Sequence, residues 1–281
     1  PMTEQIDTGT DELLATLQAG VLTLTMNRPE ARNSLTGKMT TALAAQLENA
    51  ELNADVRCVV LTGAGKGFCA GGDVKGMAAR SDDVETTGGA AKDTIDEAVH
   101  RQRLAQRATA GRLYNMPKPT IAVLPGAAAG AGLSLALACD MRIMASTAIM
   151  TTAFAKVGFS GDYGGTFFMS QLVGTAKARQ LYFLSERVSA HEALDLGLTN
   201  WVCEPDELAA KAEEVAGQLA TGPTVAYRYM KENFARALSS GDLNDCLDLE
   251  ATHHRQCGRT EDHRNATKAF VEKRNPVFKG R

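Results

Sequence analysis

The sequence predicts an α/β fold in which strand–strand–helix turns stack to about residue 205 and a helical part follows. Three observations carry this. Two apolar β-type runs, Cys58–Leu61 and Thr120–Leu124, each end in a glycine-rich turn that leads toward a helix. After Pro205 the pattern becomes almost pure helix to the end of the chain. The 281 residues, 44% of them apolar, suffice for one large domain or a domain with a smaller appendage. The expected division is therefore a core over 1–205 and a helical region over 206–281.

Taken in order, residues 1–12 are polar and expected to fray. Val21–Met26 alternates apolar residues with Thr and reads as a half-buried strand, closed by Asn27-Arg28-Pro29 because Pro29 has no N–H for a ladder. Met39, Leu43, Leu47 and Ala50 recur at helical spacing over Gly37–Leu52. The strand at Cys58–Leu61 runs into glycines 63, 65, 67, 71 and 72. Gly76–Gly89 turns polar and reads as a mobile surface loop, and Ile95–Tyr114 as a long helix. Thr120–Leu124 is a strand, Gly126, Gly130 and Gly132 follow, and Leu133–Cys139 suits a helix. Short strands are expected at Arg142–Ala145 and Ile149–Thr152, a glycine-punctuated loop at Lys156–Gly165 and a helix at Gly174–Leu184. Ser189 begins a further helix as N-cap, with Glu192 in capping-box position and Gly197 as C-cap, and Trp201–Cys203 is a short strand.

Composition narrows the function. A net charge of −3 gives no support to nucleic acid or an anionic membrane as partner. No run is apolar enough to span a bilayer and no signal-peptide pattern is visible. Six scattered cysteines lack C-x-x-C and zinc spacing, which points to reduced thiols in a cytoplasmic protein, and the histidines are not spaced as ligands, so no metal is expected. Gly65-Lys66-Gly67 has Phe68 where a phosphate loop needs Ser or Thr, and Gly126–Gly132 is not G-x-G-x-x-G. Two strands that each end in a small-residue turn can aim two backbone N–H groups at one point, the construction of an oxyanion hole.

Four motifs in order carry a resemblance. Asn27-Arg28-Pro29-Glu30-Ala31-Arg32-Asn33-Ser34-Leu35 resembles the opening motif of the crotonase (enoyl-CoA hydratase/isomerase) family. Phe68-Cys69-Ala70-Gly71-Gly72-Asp73 resembles its first oxyanion segment, and Pro117-Lys118-Pro119 with Pro125–Gly132 its second. Ala269–Arg274 resembles its closing motif. The resemblance implies the crotonase-like spiral of β-β-α turns and chemistry on an acyl-CoA thioester. Coenzyme A would enter only as part of the substrate, with no separate cofactor. It also implies oxyanion N–H groups at Gly72 and Ala131, and backbone carbonyls of Ser34, Ala70 and Gly72 around the adenine. Lys75, and from a neighbouring subunit Phe270 and Lys273, match nucleotide contacts, and Arg32 suits a phosphate by charge. Family members form homotrimers, often paired into hexamers, so 206–281 is expected to serve trimerisation.

The sequence also departs from the family. The two glutamates with which its hydratases activate water fall at Ser134 and Phe154. Asp162, eight residues beyond Phe154, matches the position at which dienoyl-CoA isomerases keep an acid/base aspartate and aryl-CoA dehalogenases a nucleophile. Phe154, Phe159 and Phe167 are expected to desolvate it. Ser134, Tyr163 and His100 are secondary candidates. Three readings stay open: a hydratase/isomerase-family enzyme of acyl-CoA degradation (lyase or isomerase) with Asp162 as acid/base; a hydrolase or substitution enzyme with Asp162 as nucleophile; and an inactive CoA-binding scaffold.

Overall fold

The structure, a computed structural model, describes residues 2–73 and 94–281. The loop expected at Gly76–Gly89 and the expected nucleotide contact Lys75 lie outside these residues.

Strands β1 (Glu4–Ile6), β2 (Leu13–Gln18) and β3 (Val21–Met26) form an antiparallel meander. The first twelve residues were expected to fray, yet Glu4–Ile6 pairs with Ala15–Leu17. Edge pairing is made by backbone groups, so polar side chains do not prevent it. Helix α1 (Gly37–Leu52) starts at Thr36, whose hydroxyl accepts Met39 N–H, and buries the four apolar residues read from its spacing. The buried ammonium of Lys118 donates to Ala50 O and Asn53 O and closes the helix's C-terminus.

From there the chain alternates between two sheets. Strand β4 (Cys58–Gly63) leads to β5 (Gly67–Cys69). Helix α2 (Ile95–Gln106) continues through a π turn (Arg107–Gly111) into α3 (Arg112–Asn115). Next, β6 (Thr120–Leu124) leads to β7 (Ala127–Ala129) and α4 (Ala131–Ala138). Then β8 (Met141–Ala145) leads to β9 (Ile149–Thr151) and α5 (Gly165–Leu184). The turn closes with β10 (Val188–Ser189), α6 (Ala190–Asp195) and β11 (Trp201–Cys203). Among the described residues, one sheet has the order β1-β2-β3-β4-β6-β8-β11 and the other β10-β9-β7-β5. Neighbours from β3 to β11 run parallel in the first sheet, as do β5, β7 and β9 in the second. Each repeat thus places one strand in each sheet and returns by a helix, the expected spiral.

Helix α5 begins nine residues earlier than its spacing suggests and breaks at Gly174 (φ 75°, ψ 162°). The glycine that reads as a start is an internal kink. Three cysteines, Cys58, Cys69 and Cys139, lie in the core, and burial pushes each thiol up to about 12. The guanidinium of Arg142, also in the core, donates to Cys139 O (2.7 Å) and Leu198 O (2.6 Å) and covers the C-terminal end of α4.

Beyond Pro205, α7 (Leu208–Ala220) buries Leu208, Val215, Ala216 and Ala220 against β3, β4, β6 and β8. Helices α8 (Thr224–Ser240), α9 (Leu243–Cys257) and α10 (Glu261–Val271) follow. The helix does not reach the end of the chain. Past Lys273 (φ 53°) the tail lies extended, with Lys279 and Gly280 N–H donating to the Asp262 carboxylate. Pro276, which has no N–H and restrains Asn275, keeps it so. No described helix is long and apolar enough to cross a membrane, and no described cluster of His, Cys, Asp or Glu is able to hold a metal ion.

Candidate active site

Asn33 ties the opening motif to the first glycine turn. It is fully buried in the left-handed region (φ 56°). Its Oδ1 accepts Arg28 N–H at 2.8 Å, and its Nδ2 donates to Ala64 O (2.9 Å) and Gly67 O (3.0 Å). Leu35 N–H donates to Gly71 O at 2.8 Å, which fixes Gly71-Gly72 as the chain leaves β5. Gly71 has φ 89°, and a Cβ there would stand 2.8 Å from Ala129 O and 3.4 Å from Ala131 N. The two glycine segments are therefore in contact. Helix α4 sits flush on β5, since a Cβ on Gly132 would meet Cys69 Cβ at 2.6 Å and Sγ at 2.7 Å. Gly130 caps α4 without a side chain, so the helix's first N–H groups receive no side-chain acceptor.

These segments open on a cavity of about 480 Å³. Leu35, Gly72, Asp73, Ala131, Asp162 and Tyr163 line it, together with Ala98, Arg101, Gln102 and Ala105 of α2. Burial raises the Asp162 carboxyl to about 6, and its Oδ1 has no hydrogen-bond partner among the described residues. Tyr163 and Tyr182 are both pushed up to about 12, first by burial and then by the Asp162 charge. Of the aromatics expected to desolvate Asp162, only Phe154 is buried. It stacks on Tyr182 (5.8 Å, 17°), and both rings lie behind Gly161. Phe159 and Phe167 are exposed, and Phe167 turns its ring to Tyr114 and Phe168.

Gly72, Ala131 and Asp162, far apart in sequence, thus share one cavity. Ser134 is fully buried outside the lining, and its hydroxyl donates to Gly130 O (3.3 Å). Arg32 is exposed, and its carbonyl accepts Ala70 N–H at 3.0 Å. Ala70 is exposed beside Gly71. The Ser34 hydroxyl and carbonyl accept from the Arg28 guanidinium at 2.9 and 2.8 Å. Phe270 and Lys273 are exposed near the end of α10, and neither lines the cavity. Sequence reading assigned no role to Asn33, Gln106 or Tyr182. Asn33 stood inside a quoted motif; for Gln106 and Tyr182 the sequence held no signal.

Residues 16–281 match the family model described as enoyl-CoA hydratase/isomerase. The chain is 38% identical over 269 residues to 1,2-epoxyphenylacetyl-CoA isomerase of Escherichia coli, covering 96% of this chain and 98% of that protein. It is 34% identical over 255 residues to short-chain-enoyl-CoA hydratase of Clostridium acetobutylicum, covering 90% and 92%. The crystal structure of an enoyl-CoA hydratase from Polaromonas sp. JS666 superposes with a TM-score of 0.85 at 33% identity, covering 95% of this chain and 99% of that one. With its alternating two-sheet spiral, its paired glycine segments and these relatives, the chain belongs to the enoyl-CoA hydratase/isomerase family, as an acyl-CoA-processing enzyme of the crotonase fold.

Proposed function

We propose that this enzyme isomerises the double bond of an enoyl-CoA thioester, with Asp162 moving the proton. The observation that carries the reading is Asp162 itself: a carboxyl in the cavity wall, raised to about 6, its Oδ1 unpartnered among the described residues. Ser134 and Phe154 occupy the two positions at which the family's hydratases carry glutamates, so a two-carboxylate activation of water is missing. Isomerisation needs one group to take a proton and return it elsewhere. The E. coli relative is named as an isomerase of an epoxyphenylacetyl-CoA, so isomerisation of a CoA thioester, though of an epoxide and not of a C=C bond, has a precedent among the chain's relatives.

In this reading the Asp162 carboxylate removes a proton from C2 of a 3-enoyl-CoA. The electron pair of that C–H bond moves into the thioester and gives a dienolate. The N–H groups of Gly72 and Ala131 stabilise its oxygen, the second from the positive end of α4. Protonated Asp162 then returns the proton to C4 and leaves the 2-enoyl-CoA. The nucleotide end of coenzyme A meets Arg32 and the carbonyls of Ser34, Ala70 and Gly72. Lys75, and Phe270 and Lys273 from a neighbouring copy, complete that end in a homotrimer or hexamer located in the cytoplasm.

The experiment is conversion of 3-hexenoyl-CoA followed by mass spectrometry, in water and in deuterium oxide. Isomerisation leaves the mass unchanged in water. Asp162→Asn is expected to lower turnover by about 10²–10⁴ while CoA binding persists. Full activity of Asp162→Asn overturns the assignment. A mass gain of one water on 2-hexenoyl-CoA at a comparable rate makes the enzyme a hydratase, and a covalent adduct on Asp162 makes the residue a nucleophile.

A further inference from the structure

We propose that Gln106, the last residue of the cavity-side helix α2, is a positioning residue that holds the Asp162–Tyr163 turn in a strained backbone state. The proposal rests on the reading of Asp162 as acid/base and adds the device that aims it.

Tyr163 has φ 50°, a left-handed conformation that a bulky aromatic residue avoids. Such a state persists only where the surroundings impose it. Gly161 (φ 118°) and Gly164 (φ 80°) flank the pair, so the turn has no regular ladder to hold it; its own bond runs from Gly165 N–H to Asp162 O at 3.2 Å. From the end of α2, Gln106 Oε1 accepts Tyr163 N–H at 2.7 Å, tying positions 57 apart in sequence. Half-buried Gln106 stands immediately before the π turn Arg107–Gly111, where the helix shifts register. Such insertions in helices frequently mark functional sites. The peptide that carries this N–H joins Asp162 to Tyr163, so freeing it lets Tyr163 return to negative φ and swings the carboxylate. Tyr182 and Phe154 pack against Gly161, and from α2 Gln106 holds the peptide two residues on.

A glutamine supplies this acceptor without charge. The titratable and charged groups around the turn, among the described residues, are Tyr163 itself, Tyr182 on α5, Cys69 on β5, Asp73 after β5 and Arg101 on α2. Glutamate at position 106 would keep the acceptor and add one more negative charge.

The test uses the full chain labelled with carboxyl-¹³C aspartate, with Asp162→Asn identifying the Asp162 signal. In Gln106→Leu the Asp162 midpoint is expected to fall by about one pH unit or more, tenfold in ionisation, as the turn relaxes into solvent. Turnover of 3-hexenoyl-CoA is expected to fall by about 10- to 100-fold with little change in KM. In Gln106→Glu the midpoint is expected to rise, and turnover above it to recover most of the loss. Unchanged midpoint and turnover in Gln106→Leu overturn the proposal. If Gln106→Leu does not fold, Gln106→Met, which also lacks the acceptor oxygen, decides, and an unchanged midpoint and turnover there overturn the proposal. Should Asp162→Asn keep full turnover, the acid/base reading fails by itself, and the titration still decides whether Gln106 aims the carboxylate.

Discussion

Asp162 is a carboxylate whose neighbours favour its neutral form, and this has two measurable effects. As a base it must be ionised, so kcat/KM should fall as pH drops through about 6 and level off above it. Stability follows the opposite sense. The folded carboxyl holds its proton to about 6, against about 4 in the unfolded chain. Its contribution to stability is fully present below the lower value and lost as pH rises through the upper one. Asp162→Asn cannot ionise, so its melting temperature should exceed the native one at pH 8, and the difference should vanish below pH 4. Thermal melts at the two pH values check this; equal melting temperatures at pH 8 would mean that the site does not penalise the charge. Asp162 stood out in sequence only through the resemblance, since it lies eight residues beyond Phe154, where dienoyl-CoA isomerases keep an acid/base aspartate. Its surroundings were not legible: Tyr182 and Gln106 arrive from helices whose approach only the packing decides, and Phe167, near in sequence, points elsewhere.

Elements were legible in proportion to how locally they are determined. The start of helix α6 was readable to the residue because the Ser189 and Glu192 capping bonds both form within it, whereas its C-cap is Leu196 and not the expected Gly197. Strands β5 and β7, three residues each, were not, since alternation needs more length and their pairing depends on each other. The contact of α4 with β5 is the element-scale feature on which the cavity depends. Gly132→Ala must force the two apart, because the new Cβ would meet Cys69, and both melting temperature and turnover should drop. Gly217→Ala on α7 is the control: nothing lies within 4 Å of its Cβ, and it should stabilise by about 0.5–1 kcal/mol. A destabilised Gly217→Ala would show that helix propensity does not govern α7. Asn33→Ala leaves Arg28 N–H, Ala64 O and Gly67 O without their partner and should cost about 3 kcal/mol in denaturant unfolding. A loss under about 1 kcal/mol would mean that water replaces the amide.

At the scale of the whole molecule, the order of strands and helices was readable, but the division of labour after Pro205 was not: α7 belongs to the core sheet, whereas α8–α10 leave Phe234, Leu243, Phe270 and Val271 exposed at 72% or more. Phe270→Glu is expected to weaken self-association and coenzyme A affinity together, read by light scattering and calorimetry. Loss of neither would remove Phe270 from both roles. The three core thiols bear on how often the molecule opens. A thiol attacks an alkylating reagent only as an accessible thiolate, and Cys58, Cys69 and Cys139 offer neither access nor charge while the fold is closed. Their rates of alkylation at pH 8 therefore count opening events. Cys69 underlies the first turn of α4, so a ligand bridging Gly72 and Ala131 should slow its modification more than that of Cys58, making one buried sulfur a recorder of how long the two glycine segments stay together.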